Sequence, residues 1–426
     1  MNKSFIEELK WRGLIQDMTP GLEERLDQGM VIGYIGFDPT AASLTIGNYV
    51  VVMLLKFFQL CGHKPIVLMG GATGRIGDPS GKDAERELKT YEELDRNLAQ
   101  QVEQMHRLLD FGDQKNGAVL VNNLDFYVGM NVLTFLRDVG KNLTINYMMS
   151  KESVKRRVET GMSYTEFSYQ LLQAYDFLCL YREKNCILQM GGSDQWGNIT
   201  SGTEFIRRNE VDSDAYALTT PLLTKADGKK FGKSEEGNIW MDPSMTSPYK
   251  FYQFWLNVND ADLPKLYRYF SLLSKNEVEQ LELEFAVEPN VLKTKLGQEL
   301  TERIHGTKAF DAARNVSEIL FNPKASKEQL LNLEKKDLEL ISEEIPSFQL
   351  SKSIIQSANV IDLISEHTTI TGSKSDARRA IQANAISINK DKVMDITAGT
   401  NIFLPLHDEF LLIENGKKNK YIIQIQ

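Results

Sequence analysis

The sequence predicts an α/β protein built on a doubly wound parallel sheet, and two patterns and one size argument carry that prediction. Short apolar runs rich in Val, Ile and Leu, at Val31–Phe37, Pro65–Met69, Ala118–Val121 and Cys186–Met190, each give way to a Gly-rich or polar turn, as buried parallel strands do. Helical spacing separates them: Leu94, Leu98, Val102, Met105, Leu108 and Leu109 line one helix face. The chain has 426 residues, which at roughly 150 residues per ordinary domain predicts two to three domains. In such sheets ligands bind outside the carboxyl ends of the strands. The residues following each run are therefore the candidates: Asp38-Pro39-Thr40, Gly70-Gly71-Ala72-Thr73-Gly74, Asn122-Asn123 and Gly191-Gly192-Ser193-Asp194-Gln195.

The other elements follow in order. Met1–Gln16 mixes Lys3, Glu7, Glu8, Lys10 and Arg12 into its apolar positions and reads as an amphipathic helix, without the continuous apolar region of a signal peptide. Ser247 as N-cap and Pro248 at the first helical position open a helix-dominated region. Asn322–Pro346 is polar and rich in Glu and Lys, as a linker or peripheral helical segment would be. The last segment reads as a small α+β module: helices over Val360–His367 and Lys374–Gln382, then strands over Ala385–Asn389, Ile402–Pro405, Phe410–Glu414 and Tyr421–Ile425.

Composition narrows the function classes. Lys plus Arg total 49 against 58 Asp plus Glu, a formal charge of −9, which disfavours nucleic-acid binding over the whole surface and leaves room for a local basic patch. Cys61, Cys179 and Cys186 are too scattered for a disulfide framework or a paired zinc site and fit a reducing cytosol. The histidines at 63, 106, 305, 367 and 407 form no ligand spacing, so no protein metal site is expected. The most apolar stretch, Tyr49–Cys61, is broken by Lys56 and falls short of the roughly 20 residues that span a bilayer.

Four segments carry candidate chemistry. Gly70–Lys82 holds five glycines with Asp78 and Lys82. It misses the Walker spacing by one residue, and Asp83 stands where a Ser or Thr would hold magnesium. Alone it reads equally as a phosphate cradle or as glycines that let a helix pack near a strand end. Thr40–Asn48 leads into a helix, where Gly47 allows close backbone approach and the N-terminus favours anions. Lys229, Lys230 and Lys233 lie among Gly228 and Gly232, either a solvated face or a glycine-hinged loop that closes over a polyphosphate. Tyr169, Gln173 and Asp176 are spaced i, i+4, i+7 on one helix face flanked by Leu171, Leu172, Phe177 and Leu178. A polar stripe on a helix buried on several sides needs a polar ligand.

Together these segments resemble the bacterial tyrosyl-tRNA synthetases, a family of class I aminoacyl-tRNA synthetases. The resemblance runs over nearly the whole chain through GFDPTAASL (Gly36–Leu44), GGATGRIGDPSGK (Gly70–Lys82), FLRDVGK (Phe135–Lys141), NYMMSKESV (Asn146–Val154), TEFSYQLLQAYDF (Thr165–Phe177), GGSDQWGNI (Gly191–Ile199) and KFGKS (Lys230–Ser234). It implies a Rossmann-like catalytic domain over 1–220 with a dimer-forming helical insertion, a mobile KMSKS-type loop and helical domain over 221–321, a linker over 322–350, and an S-four-like RNA-binding domain over 351–426. The last is carried by SKSDARRAIQANAISINKDKVMD (Ser373–Asp395).

The implied activity is tyrosine–tRNA ligation from L-tyrosine, ATP with Mg2+ and tRNA(Tyr), in a cytoplasmic homodimer with no membrane association. By resemblance, Tyr34 and Asp176 bond the phenol and Asp78, Tyr169 and Gln173 hold the amino group. Gln195 lies near the carboxylate, and Asp38 is a further tyrosine-binding candidate. Gly47, Asn48, Gly192 and Asp194 serve ATP, while Thr40, Thr45, Lys82, Lys230 and Lys233 serve the phosphates. Thr45-Ile46-Gly47-Asn48 departs from the family's usual His-Ile-Gly-His and replaces an imidazole donor by a shorter hydroxyl. Lys374, Arg378 and Arg379 are expected on tRNA phosphates. Two other readings are weighed against this one. A tryptophanyl-type sibling is disfavoured by Tyr34 with Asp176, because indole lacks a phenol oxygen. A non-catalytic RNA-binding paralogue is disfavoured by the retained lysines and aspartates.

Overall fold

A computed structural model describes residues 4–81, 87–226, 228–229, 231–234, 237–284, 288–322, 324–416 and 419–426. They fall into two compact units, Met1–Ser247 with Phe254–Ile304, and Pro248–Gln253 with His305–Gln426.

The first unit is organised by a six-stranded sheet. Its strands are β1 (Asp17–Met18), β2 (Ile32–Phe37), β3 (Lys64–Met69), β4 (Val119–Asn122), β5 (Leu188–Gly192) and β6 (Tyr216–Thr220), in the order β1-β6-β5-β2-β3-β4. All neighbours run parallel except β1 on β6. Three strands match the expected runs within one residue at their starts, whereas β5 starts two residues later than Cys186. Cys186 is spent instead where the preceding helix ends, its amide donating to the Leu180 carbonyl. Strand order reverses between β5 and β2, and that crevice is where doubly wound sheets bind ligands. Tyr34 of β2 pairs in register with Ile66 and Gln189.

Helices cover the sheet for local reasons. The Ile46–Leu60 helix is apolar on most sides, with Tyr49, Val52, Met53, Leu54, Phe57 and Phe58 buried. The Tyr164–Lys184 helix starts at Ser163, whose hydroxyl accepts from the Glu166 amide, and ends at Asn185 in the left-handed region. It is buried on several sides, with Tyr169, Ala174, Asp176 and Phe177 all inside. The N-terminal helix spans Phe5–Arg12, and its charges are not all solvated. Buried Arg12 bonds Glu8 at 2.8 Å and the carbonyls of Arg268, Ser271 and Leu273 at 2.7–3.0 Å. A short hairpin, β7 (Lys233–Ser234) with β8 (Gly237–Asn238), completes this unit's strands.

The second unit carries a five-stranded sheet of β9 (Ser347–Leu350), β10 (Ile386–Ile388), β11 (Asp391–Lys392), β12 (Phe410–Asn415) and β13 (Asn419–Ile425), ordered β11-β10-β12-β13-β9. Helices Val360–Ser365 and Lys374–Gln382 close its core over Ile355, Leu363, Ile381, Ile388, Leu411 and Ile423. The expected strand at Ile402–Pro405 does not form. Thr400–Ile402 is a 3-10 turn there, because the buried Thr400 hydroxyl donates to the carbonyls of Ile355 and Ala358 and pulls the chain out of extended pairing. The polar segment after Asn322 forms helices Lys327–Leu331 and Lys335–Glu344, each closed by a capping box.

Candidate active site

The carboxyl ends of β2, β3 and β4 bring three polar side chains into one network with two from the Tyr164–Lys184 helix. Asp38, just beyond β2, accepts from the Thr73 hydroxyl at 2.7 Å and from the Tyr169 hydroxyl at 2.8 Å. The side-chain amide of Asn123, just beyond β4, donates to Thr73 Oγ1 at 2.9 Å and to Asp176 Oδ2 at 2.8 Å, and its Oδ1 accepts from the Ala72 amide. The turn between them is glycine for steric reasons. A Cβ on Gly70 would stand 2.1 Å from Asp38 Oδ1 and 2.6 Å from Thr73 Oγ1, and one on Gly71 would stand 2.2 Å from Asn122 Oδ1.

Asp176 lies at the bottom of this network, 1% exposed. Its second oxygen, Oδ1, accepts from the Tyr127 hydroxyl at 2.7 Å. Burial pushes the carboxyl up to about 7, opposed by the bonds from Asn123 and Tyr127 and reinforced by Asp38. Beside it the Tyr34 hydroxyl is buried without a hydrogen-bond partner, its proton held tighter by burial first and by the Asp176 charge second. Oε1 of Gln173 is likewise buried and unpartnered. An unpaired buried hydroxyl costs about 1–3 kcal/mol, so a site that keeps one is shaped for something that pairs it.

A second cluster gathers on Asp78. Gln195 Nε2 donates to Asp78 Oδ2 at 2.7 Å, Asn198 donates to Ser80 Oγ at 3.0 Å, and the Ser80 amide closes a turn on Asp78 Oδ1 at 2.9 Å. Asp194 is exposed beside the glycines: a Cβ on Gly192 would stand 2.8 Å from Asp194 Oδ1, and Gly81 at φ +68° approaches Asp194 Oδ2.

At the start of the Ile46–Leu60 helix, Thr45 and Asn48 form a reciprocal cap. The Thr45 amide donates to Asn48 Oδ1 at 3.0 Å, the Thr45 hydroxyl to the same oxygen at 2.8 Å, and the Asn48 amide to Thr45 Oγ1 at 3.3 Å. Gly232 packs on this helix start, its notional Cβ 3.3 Å from the Gly47 amide nitrogen, and the Ile239 carbonyl accepts from the Ile46 amide. The lysine-bearing segment thus runs past the helix N-terminus. Thr40 follows Asp38, whose carbonyl accepts its amide at 2.8 Å. Lys82 and Lys230 lie outside the described residues, as does the side chain of Lys233.

Residues 27–322 match the family model described as tRNA synthetases class I (W and Y), and residues 337–423 match that of the tyrosine–tRNA ligase SYY-like C-terminal domain. A tyrosine–tRNA ligase of Amoebophilus asiaticus is 50% identical and one of Cytophaga hutchinsonii 51% identical, each over 99% of both chains. The chain belongs to the tyrosine–tRNA ligase family. Among solved structures, a C-terminally truncated mitochondrial tyrosyl-tRNA synthetase of Aspergillus nidulans is 31% identical with a TM-score of 0.66, over 75% of this chain and 94% of that one.

The sequence assigns no role to Tyr127 or Asn198, which the structure brings to these two clusters. Thr73 and Asn123 stood in turns already under suspicion, whereas nothing in the local pattern marked Tyr127. In the second unit, Lys374 bonds Asp362 and Glu366 at 2.7 and 2.9 Å and Arg379 pairs with Asp376. Arg378 is exposed and makes no ion pair with a described residue. Among the described residues no group of three or more His, Cys, Asp or Glu could hold a metal ion, and no helix is long and apolar enough to cross a membrane.

Proposed function

We propose that this chain activates L-tyrosine with ATP and transfers it to tRNA(Tyr). One observation carries the amino-acid assignment: a buried, unpartnered Tyr34 hydroxyl beside the buried Asp176 carboxylate. That pair suits a phenol, which donates to the carboxylate and accepts from the hydroxyl, and it does not suit an indole. The substrate amino group is read onto Asp78, Tyr169 and Gln173, its carboxylate near Gln195, and Asp38 orders Tyr169. The tyrosine carboxylate oxygen attacks the α-phosphorus of ATP, the bond to the leaving pyrophosphate breaks, and tyrosyl-adenylate forms. A ribose hydroxyl of the tRNA terminal adenosine then attacks the tyrosyl carbonyl, and AMP leaves. Magnesium enters with ATP as part of that substrate.

Positioning and charge stabilisation supply the rate. Gly192 and Asp194 are read onto the ribose. Gly47 and Asn48, with Thr40, Thr45, Lys82, Lys230 and Lys233, are read onto the phosphate path. Tyrosine-dependent exchange of labelled pyrophosphate into ATP tests the proposal: exchange with tyrosine is expected, and exchange driven by tryptophan or absent altogether overturns it.

The Thr45 cap separates two roles. Thr45→Ala is expected to cost about 1 kcal/mol of stability through the lost cap, read by urea unfolding. It should also slow adenylate formation by at most about 1.5–3 kcal/mol if the hydroxyl turns to pyrophosphate. Tyrosine affinity should barely move in equilibrium binding.

The helical insertion is read as the homodimer face, supported by its exposed apolar residues. Val128 and Leu133 are 78% and 74% exposed, with Val132, Leu136 and Ile145 beside them in sequence. Leu133→Glu is expected to shift sedimentation towards the monomer, and an unshifted dimer would remove this face from the interface. The domains at 1–220, 221–321, 322–350 and 351–426 are read as catalytic, helical, linking and tRNA-binding, in a cytoplasmic enzyme. Lys374, Arg378 and Arg379 are the proposed phosphate contacts, with Lys374 and Arg379 exchanging their acidic partners for RNA.

A further inference from the structure

One donor to Asp176 belongs to no motif. Tyr127 ends the 3-10 turn Asn123–Tyr127 that begins directly after β4, so a single turn delivers both donors to the carboxylate. Tyr127 takes Oδ1 and Asn123 takes Oδ2, which leaves one lone-pair direction on each oxygen for a ligand. The Tyr127 hydroxyl has a single proton and two acceptors in reach, Asp176 Oδ1 at 2.7 Å and the Leu172 carbonyl at 3.1 Å. While Asp176 is ionised the charged acceptor holds that proton. The ring is seated independently of its hydroxyl, with its centroid 5.7 Å from that of Tyr175 and 6.4 Å from that of Phe135.

We propose that Tyr127 sets the preference for tyrosine over phenylalanine by holding the Asp176 carboxylate as an oriented acceptor for the substrate phenol. Tyr127 is then a specificity-determining positioning residue. The inference rests on the reading of Asp176 as the phenol acceptor.

The groups facing Asp176 make its proton the one that moves near neutrality. Burial pushes Tyr34 on β2, Tyr169 on the same helix and Tyr127 itself well up from the ordinary phenol range, and Cys179 up to about 12. Asp38, beyond β2, raises Asp176 further and is itself bonded by Thr73 and Tyr169. Asp176 stands at about 7 with both donors in place. Losing the Tyr127 hydroxyl removes a bond that favours the anion, so the carboxyl keeps its proton to higher pH. A protonated Asp176 offers the phenol a donor where an acceptor is needed. It also lowers the cost of leaving that group unpaired beside a phenylalanine ring, so selectivity falls from both sides.

The test is kcat and KM for tyrosine and for phenylalanine in pyrophosphate exchange, from about pH 6 to about pH 9, on the full chain and on Tyr127→Phe and Asp176→Asn. In Tyr127→Phe the acid limb of kcat/KM for tyrosine is expected to move up by about one pH unit, with selectivity at pH 7 falling about tenfold. The change should fall on KM for tyrosine far more than on kcat. Coincident pH profiles and unchanged selectivity in the folded variant overturn the inference. Should Tyr127→Phe fail to fold, 3-fluorotyrosine at position 127, a stronger donor, is expected to move the limb down, and an unmoved limb overturns the inference. If Asp176→Asn loses selectivity while Tyr127→Phe behaves as the parent, the phenol reading stands and this inference falls. If Asp176→Asn keeps full selectivity, the phenol reading falls and takes the inference with it.

Discussion

Asp176→Asn is expected to make the protein more stable above neutral pH and less able to choose tyrosine. Asp176 has an ordinary value of 3.8 and stands at about 7 in the fold. Between those values the folded state binds more protons than the unfolded state, so stability falls as pH rises through that window and is flat above it. At about 1.4 kcal/mol per pH unit, the ionised side chain costs on the order of 4 kcal/mol by pH 8.

An amide removes that cost and keeps the local bonds. Asn123 still donates to the side-chain oxygen, while Tyr127 accepts from the new NH2 and turns its own proton to the Leu172 carbonyl 3.1 Å away. Urea unfolding at about pH 5 and about pH 8 reads the effect, with the gap between variant and parent wider at the higher pH. A gap of equal size at both would mean that the carboxylate is not desolvated. Selectivity should fall about 10–100-fold, because a charge-assisted bond to the phenol becomes a neutral one.

Removal of residues 347–426 is expected to spare tyrosine-dependent pyrophosphate exchange and to cut charging at limiting tRNA by on the order of 100-fold. Every residue read onto tyrosine or ATP lies between positions 34 and 233, whereas the removed segment carries all of β9–β13 with Lys374, Arg378 and Arg379. The Lys335–Glu344 helix packs on β13, so its buried Leu338 and Ile341 would lose their cover. A second variant ending at Asn332 removes that exposed face and isolates the loss of RNA binding from the loss of solubility. Undiminished charging at low tRNA in either variant would take the tRNA contact away from this module.

The parallel strands were legible because burial on both sides writes itself as continuous apolar runs, as at Val31–Phe37 and Pro65–Met69. The buried stripe of Tyr169 and Asp176 was legible because helical spacing put polar groups among Leu and Phe. Short elements left no such trace. β1 has two residues and takes its pairing from β6, and Ile402–Pro405 looked extended only because the two bonds from Thr400 join residues some 40 positions apart. Tyr127 escaped for the same reason: its partner Asp176 is 49 positions away, and no local period encodes that distance. The cap at Thr45 was visible as a departure from a motif, while its closed bond to Asn48 depends on side-chain rotamers that no sequence spacing encodes.

The glycine turn at Gly70-Gly71 divides the pocket into a wall that can be rewritten and one that cannot. Any side chain at either position would strike Asp38, Thr73 or Asn122 at 2.1–2.6 Å, and each of those oxygens is held by a hydrogen bond, from Thr73, Asn123 and the Leu124 amide respectively. The opposing surface is made of side chains, Tyr127 from the turn after β4 and Gln173 and Asp176 from the Tyr164–Lys184 helix. A randomised library over both surfaces, screened for folding alone, should therefore return survivors varied at 127, 173 and 176 and invariant at 70 and 71. A redesigned pocket for larger para-substituted amino acids must gain its volume from the helix side.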